Sequence, residues 1–120
     1  MDIPKIFDSE YRFCQILWEH EPIKSSQLAK LCAEQLQWKK STTYTVIKRL
    51  SERGVIKTEQ AVVTSLVSKD EVQCAESHEV IKKNFDGSLP RFIAAFTKKQ
   101  ALSKEEIAEI KRMIDTYQEE

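Results

Sequence analysis

Along this chain the apolar positions return at intervals of three and four residues, with one interruption where β-branched residues crowd together. Tyr11, Cys14, Leu17 and Trp18 share one stripe, with Phe13 beside it. This predicts a first helix from a cap at Asp8 or Ser9 to about Glu19, ended by Pro22. Leu28, Leu31, Cys32 and Leu36 predict a second helix, capped by Ser25 or Ser26. A third should begin at Ser41 or its neighbour and stop at Gly54, since glycine enters the left-handed C-terminal conformation without steric cost. Thr43, Val46, Ile47 and Leu50 form its inward face.

Val55-Ile56-Lys57-Thr58 and Ala61 through Val67 are β-branched runs separated by Glu59-Gln60, close enough to pair as a hairpin. Ser68-Lys69-Asp70-Glu71 is a capping box opening a fourth helix to about Phe85, with Cys74, His78, Ile81 and Phe85 on one face. Asp86-Gly87-Ser88 reads as a turn, with Ser88 capping a short helix that contains Pro90 and runs to Phe96. A second capping box, Ser103-Lys104-Glu105-Glu106, opens the last helix, where Ile107, Ile110, Ile114 and Tyr117 form a narrow seam of coiled-coil type.

Three helices followed by a hairpin is the order of a winged helix-turn-helix. The expected fold is therefore mainly α with a small β-hairpin: a winged-helix DNA-binding domain over residues 1–68 and a helical dimerisation region over 69–120. The terminal seam has to bury itself on something. A second copy of the chain is a better partner than its own winged domain. Ile81, Phe85, Phe92 and Phe96, with Ile107, Ile110, Ile114 and Tyr117, are the candidate dimerisation residues.

A length of 120 residues leaves no room for a hidden catalytic domain, and 41% apolar with 32% charged residues is a globular composition. No run approaches the roughly 18 apolar residues of a membrane span, and Met1-Asp2-Ile3-Pro4 lacks the pattern of a leader, so a cytoplasmic location without membrane insertion is expected. Cys14, Cys32 and Cys74 are an odd number set in helical patterns, which predicts reduced core thiols.

The formal net charge of zero conceals an asymmetry. Between Gln37 and Lys57 six cations, Lys39, Lys40, Lys48, Arg49, Arg53 and Lys57, face Glu52 alone, a local charge of +5. Residues 61–120 carry nine basic and eleven acidic side chains. One short segment is thus electropositive, and it includes the third helix. Lys39, Lys40 and Ser41 stand at its N-terminus, where free N–H groups and the helix dipole favour an anion. Thr42, Tyr44 and Thr45 lie on the outward arc and are short or flat enough for base or sugar contact, while Lys48 and Arg49, further along, suit phosphate. Ordinary surface hydroxyls on a basic helix face are the plain alternative. Trp38 and Trp18 read as anchors packing on the helical core rather than as stacking platforms.

Taken in order, these segments resemble the penicillinase repressors of the BlaI/MecI/CopY type over nearly the whole chain. The resemblance is carried by Ile6 through Tyr11, Ile16-Leu17-Trp18, Trp38 through Thr42, Thr45, Arg49-Leu50 and Gly54. It continues through Phe85 to Leu89 and Leu102 to Ile107. It implies a homodimer that binds an inverted-repeat operator in double-stranded DNA and represses a resistance, metal-homeostasis or stress-response gene. It also implies a membrane sensor protease that relieves repression by promoting cleavage in the C-terminal arm. This chain departs from the family pattern in four places. Ser41 stands where the family has a lysine, and Glu59, Gln60 and Ala61 replace a wing tip of glycine and arginine, which predicts weak wing contact. Ala95-Phe96 aligns with the cleavage site without its asparagine, although Asn84-Phe85 imitates it elsewhere. Tyr117-Gln118-Glu119-Glu120 lacks the cysteine cluster of the copper-responsive branch.

No nucleophile motif, phosphate loop or paired-ligand spacing is present, so neither an enzyme nor a cofactor is expected. Cys74 and His78 would supply only half a metal site, and His20 reads as an exposed helix end. The competing reading is a winged-helix protein-protein interaction adaptor that no longer binds DNA.

Overall fold

The computed structural model describes residues 3–118, so the readings of Met1-Asp2 and Glu119-Glu120 lie outside the described residues. Its elements are α1 Asp8–His20, β1 Ile23–Lys24, α2 Ser25–Leu36, α3 Lys40–Glu52, β2 Ile56–Glu59, β3 Val62–Ser65, α4 Lys69–Phe85, α5 Leu89–Thr97 and α6 Lys104–Asp115. They fall into two units, residues 3–77 and 78–118.

The first unit is a winged helix-turn-helix. Its core is built from the predicted stripes: Phe13, Leu17, Leu28, Leu50, Ile56 and Val63 are buried completely or nearly so. The inward face of α3 is Thr43, Val46, Ile47 and Leu50, as the periodicity requires. At its end Gly54 adopts φ +79°, and the Val55 N–H donates to Leu50 O at 2.9 Å, closing the helix in a left-handed turn. Trp38 stacks on Phe13, with ring centroids 6.2 Å apart and planes within 6°. Trp18 donates its indole N–H to Val67 O at 3.0 Å. Both tryptophans are anchors.

The wing is larger than a hairpin. β1 pairs antiparallel with β3 through Ile23↔Val63 and Lys24↔Val62, giving the order β1-β3-β2. A strand of two residues has no measurable period, which is why the apolar pattern misses it. β2 and β3 are joined by a two-residue loop in which Gln60 and Ala61 both have positive φ, 51° and 64°. That is the backbone of a type I′ turn, held here without glycine.

Three predicted helix caps are corrected. The N-caps of α1, α2 and α3 are Phe7, Lys24 and Lys39, none of which caps through its side chain. Asp8 and Ser25 are already helical, and Ser41 is the second residue of α3. At α1 the Phe7 N–H instead donates to Glu10 Oε1 at 2.9 Å, the glutamate half of a capping box without its hydroxyl partner. The two boxes read from Ser68 and Ser103 form with both arms in place.

Cys14 and Cys32 are buried thiols. Burial pushes the Cys14 pKa up to about 12, assisted by the nearby Glu10 charge, and raises that of Cys32 against the opposing dipole of the Thr43 hydroxyl. Thr43 Oγ1 nevertheless has no aligned hydrogen-bond partner. Cys74 is exposed, which corrects its reading as a core thiol. α4 has one fully buried side chain, Val72; on its predicted stripe Cys74 and His78 lie open, while Ile81 and Phe85 are half-buried.

In the second unit, the rest of α4 meets α5 through a turn in which Gly87 takes φ +79° and Ser88 Oγ accepts from the Arg91 N–H at 3.2 Å. Phe92 packs edge-on to Phe85 at 5.5 Å and against Phe96 at 6.1 Å. No side chain of α5 or α6 is fully buried. Among the described residues no helix is long and apolar enough to cross a membrane.

Candidate nucleic-acid interface

α3 is held on one side only. α2 and β2 pack against its buried side, while Lys39, Lys40, Ser41, Thr42, Tyr44, Thr45, Lys48 and Arg49 are all exposed. The helix is about 20 Å long at 1.5 Å per residue, enough to lie along a major groove. The turn before it fixes its approach. Gln37 takes the left-handed conformation with φ 57°, Trp38 N–H donates to Cys32 O at 3.3 Å, and the Trp38 ring is seated on Phe13.

The six cations of this segment do not remain equivalent. Arg53 is bound to the Glu10 carboxylate, donates to Lys5 O at 2.8 Å and stacks over Phe7 with 5.4 Å to the ring centroid. Lys57 pairs with Glu59 at 3.5 Å on the wing. Lys39, Lys40, Lys48 and Arg49 make no ion pair among the described residues, and all four belong to α3 or its N-cap. The free charge is therefore concentrated on the outward side of one helix.

The Arg53 clasp was invisible in the sequence. Glu10 is only 5% exposed although charged, and it joins the start of α1 to the end of α3 across a separation of 43 residues. Ile3 and Ile6 pack against the core beside it. One local hint existed, because Glu10 occupies the position from which a capping box reaches back; nothing local points to Arg53.

Two further contacts arrange the exposed face. Lys40 Nζ lies 5.9 Å from the Tyr44 ring centroid, a loose cation–π contact one turn apart. Thr45 Oγ1 donates to Ser41 O at 2.9 Å, whereas the Thr42 hydroxyl makes no hydrogen bond within the described residues. The wing tip presents Glu59, Gln60 and Ala61, all exposed.

Of the candidate dimerisation residues, Ile81, Phe85 and Phe92 are half-buried. Phe96, Ile107, Ile110, Ile114 and Tyr117 are exposed by between 38% and 74%, a row of large apolar side chains that water does not favour. The Ala95-Phe96 bond lies inside helix α5. Among the described residues no group of three metal-ligating side chains comes together.

Comparison with known proteins follows the same extent. The model of the penicillinase repressor family matches residues 6–116. The chain is 24% identical over 119 residues to the penicillinase repressor of Bacillus licheniformis, covering 96% of this chain and 93% of that protein. To the methicillin resistance regulatory protein MecI of Staphylococcus aureus it is 25% identical over 115 residues, covering 92% and 94%. The MecI protein of Mammaliicoccus sciuri matches at 24% with the same coverage.

Proposed function

This chain belongs to the penicillinase repressor family, whose members are DNA-binding transcription regulators rather than enzymes, and from that premise we propose that it represses as a homodimer on an inverted-repeat operator. In this reading residues 1–68 present α3 to the major groove and residues 69–120 pair two copies, so that two recognition helices meet two half-sites. The observation that carries the proposal is the placement of four unpaired cations and two threonines on the one side of α3 that the core leaves open. Lys39 and Lys40 meet phosphate at the entry of the helix, with Ser41 adding a hydroxyl there. Thr42, Tyr44 and Thr45 face base edges or sugar, and Lys48 and Arg49 hold the backbone further along.

The dimer rests on the exposed row of α5 and α6, which is narrow enough to be covered by its own copy in a two-fold contact. The target is a resistance or stress-response gene, by likeness to relatives named for penicillinase and methicillin resistance. Such a protein works in the cytoplasm, where the operator is. Release by a sensor protease forms no part of the proposal, since Ala95 replaces the asparagine of the resembling cleavage site.

Sedimentation of the purified protein, followed by gel shift with duplex DNA from upstream of its own gene, tests the reading. A dimer that shifts one duplex against excess unrelated DNA is expected, with Ile110→Asp giving a monomer that binds far more weakly. A monomeric wild type, or binding indifferent to sequence, overturns it.

A further inference from the structure

The two threonines on the open face of α3 are chemically distinct. Thr45 spends its hydroxyl proton on Ser41 O, one turn back along the helix at 2.9 Å, so its oxygen is turned onto the backbone. The group left to face outward is the γ-methyl. Thr42 has the same residue type and the same exposure, yet its hydroxyl has no partner within the described residues. Back-bonding alone is a common habit of helical threonine, as Thr97 and Thr116 show on α5 and α6. What is particular to Thr45 is its address, one turn from Ser41 and flanked by Tyr44, Lys48 and Arg49 on the cationic side.

We infer that Thr45 is a specificity-determining residue that reads a thymine in each half-site by methyl-to-methyl contact, while Thr42 serves as the hydrogen-bonding member of the pair. The inference rests on the DNA-binding reading above. In the major groove the thymine C5-methyl is the one apolar group among the base edges, and a small side chain with an outward methyl is its complement. A back-bonded hydroxyl keeps the methyl in place: rotating the oxygen toward the base would break the bond to Ser41 O and leave that carbonyl without its second donor.

The test begins with a duplex enriched by the wild-type protein from a randomised double-stranded pool, in which each thymine is then replaced singly by deoxyuridine. Losing one buried methyl contact should weaken binding about fourfold per half-site, and roughly fifteenfold when both half-sites are changed. Thr45→Val, which keeps the methyl and drops the hydroxyl, should show the same ratio of thymine to uracil affinity as the wild type. Thr45→Ser, which keeps the hydroxyl and drops the methyl, should bind both duplexes equally, and Thr42→Ser should leave the ratio alone. Enrichment of a duplex in which no thymine responds to uracil overturns this assignment while sparing the DNA-binding reading, and so does a Thr45→Ser protein that still discriminates. Failure to enrich any duplex overturns both.

Discussion

Salt dependence is where the pairing of charges becomes measurable. In the proposed dimer each subunit offers Lys39, Lys40, Lys48 and Arg49, which have no ion-pair partner among the described residues, so eight free cations would meet the phosphate backbone. Each neutralised phosphate releases about 0.9 of a counterion, which gives a slope of log affinity against log salt of about −7. Between 50 and 200 mM salt the affinity should then fall by about four orders of magnitude. Lys48→Ala combined with Arg49→Ala removes half of these contacts, and the slope should drop to about −4 at every duplex sequence, since phosphate carries no base information.

The discriminating control is Arg53. Counted from sequence it belongs to the same basic segment, but its charge is already matched by Glu10. Replacing both partners, Glu10→Gln with Arg53→Gln, removes the pair without stranding a charge. The slope, read from fluorescence anisotropy titrations over a series of salt concentrations, should stay that of the wild type. A slope reduced by about two in this control would mean that Arg53 reaches phosphate. An unchanged slope in the Lys48, Arg49 variant would mean that the open face of α3 is not where the duplex lies.

Three further outcomes follow from the winged unit. Arg53→Ala leaves the Glu10 carboxylate buried and Lys5 O without its donor, so urea unfolding should show a loss of about 2–4 kcal/mol, and a loss under ~0.5 would refute the clasp. The folded state holds the Cys14 proton up to about pH 12 against 9.0 for a free thiol; this contribution to stability is complete below pH 9 and is lost as pH rises toward 12, at ~1.4 kcal/mol per pH unit. Alkaline unfolding of Cys14→Ala should be correspondingly flatter, and in the native protein at neutral pH a thiol reagent should label Cys74 ahead of Cys14 and Cys32. Ala61 is exposed and holds φ 64° where a side chain is strained, so Ala61→Gly should raise thermal stability by about 0.5–1 kcal/mol, and a destabilised variant would refute the strain at this turn.

How much of this was legible depended on whether the determinant was periodic. The stripes of α1, α2 and α3 and the stop at Gly54 lie in the order of residues, because burial on one face of a helix forces spacings of three and four. Ser68 and Ser103 were readable for the same local reason, a hydroxyl and a carboxylate three residues apart. β1 was not, since two residues carry no period and Ile23 earns its place only by meeting Val63. Cys74 deceived by sitting in a helical pattern that no partner element covers within its own unit. Arg53 and Glu10 illustrate the wider limit, since a charge total adds side chains that the fold removes in pairs.

The missing caps carry more meaning than the caps that formed. At the N-terminus of α3 a serine, threonine or aspartate would ordinarily supply about 1 kcal/mol, yet the chain places Lys39 there and Lys40 next, against the helix dipole. Ser41 and Thr42 stand two and three residues too late to serve as the cap. α2 shares the lack of a side-chain cap, with Lys24 at its N-cap, whereas α1 uses Glu10 and α4, α5 and α6 use serines. At α3 the uncapped N-terminus carries two successive lysines, Lys39 and Lys40, followed by the exposed hydroxyls of Ser41 and Thr42. An isolated protein gains nothing from that arrangement. A phosphate at the mouth of the helix would offset both the missing cap and the lysines set against the dipole, which is the contact the proposed DNA-binding reading supplies.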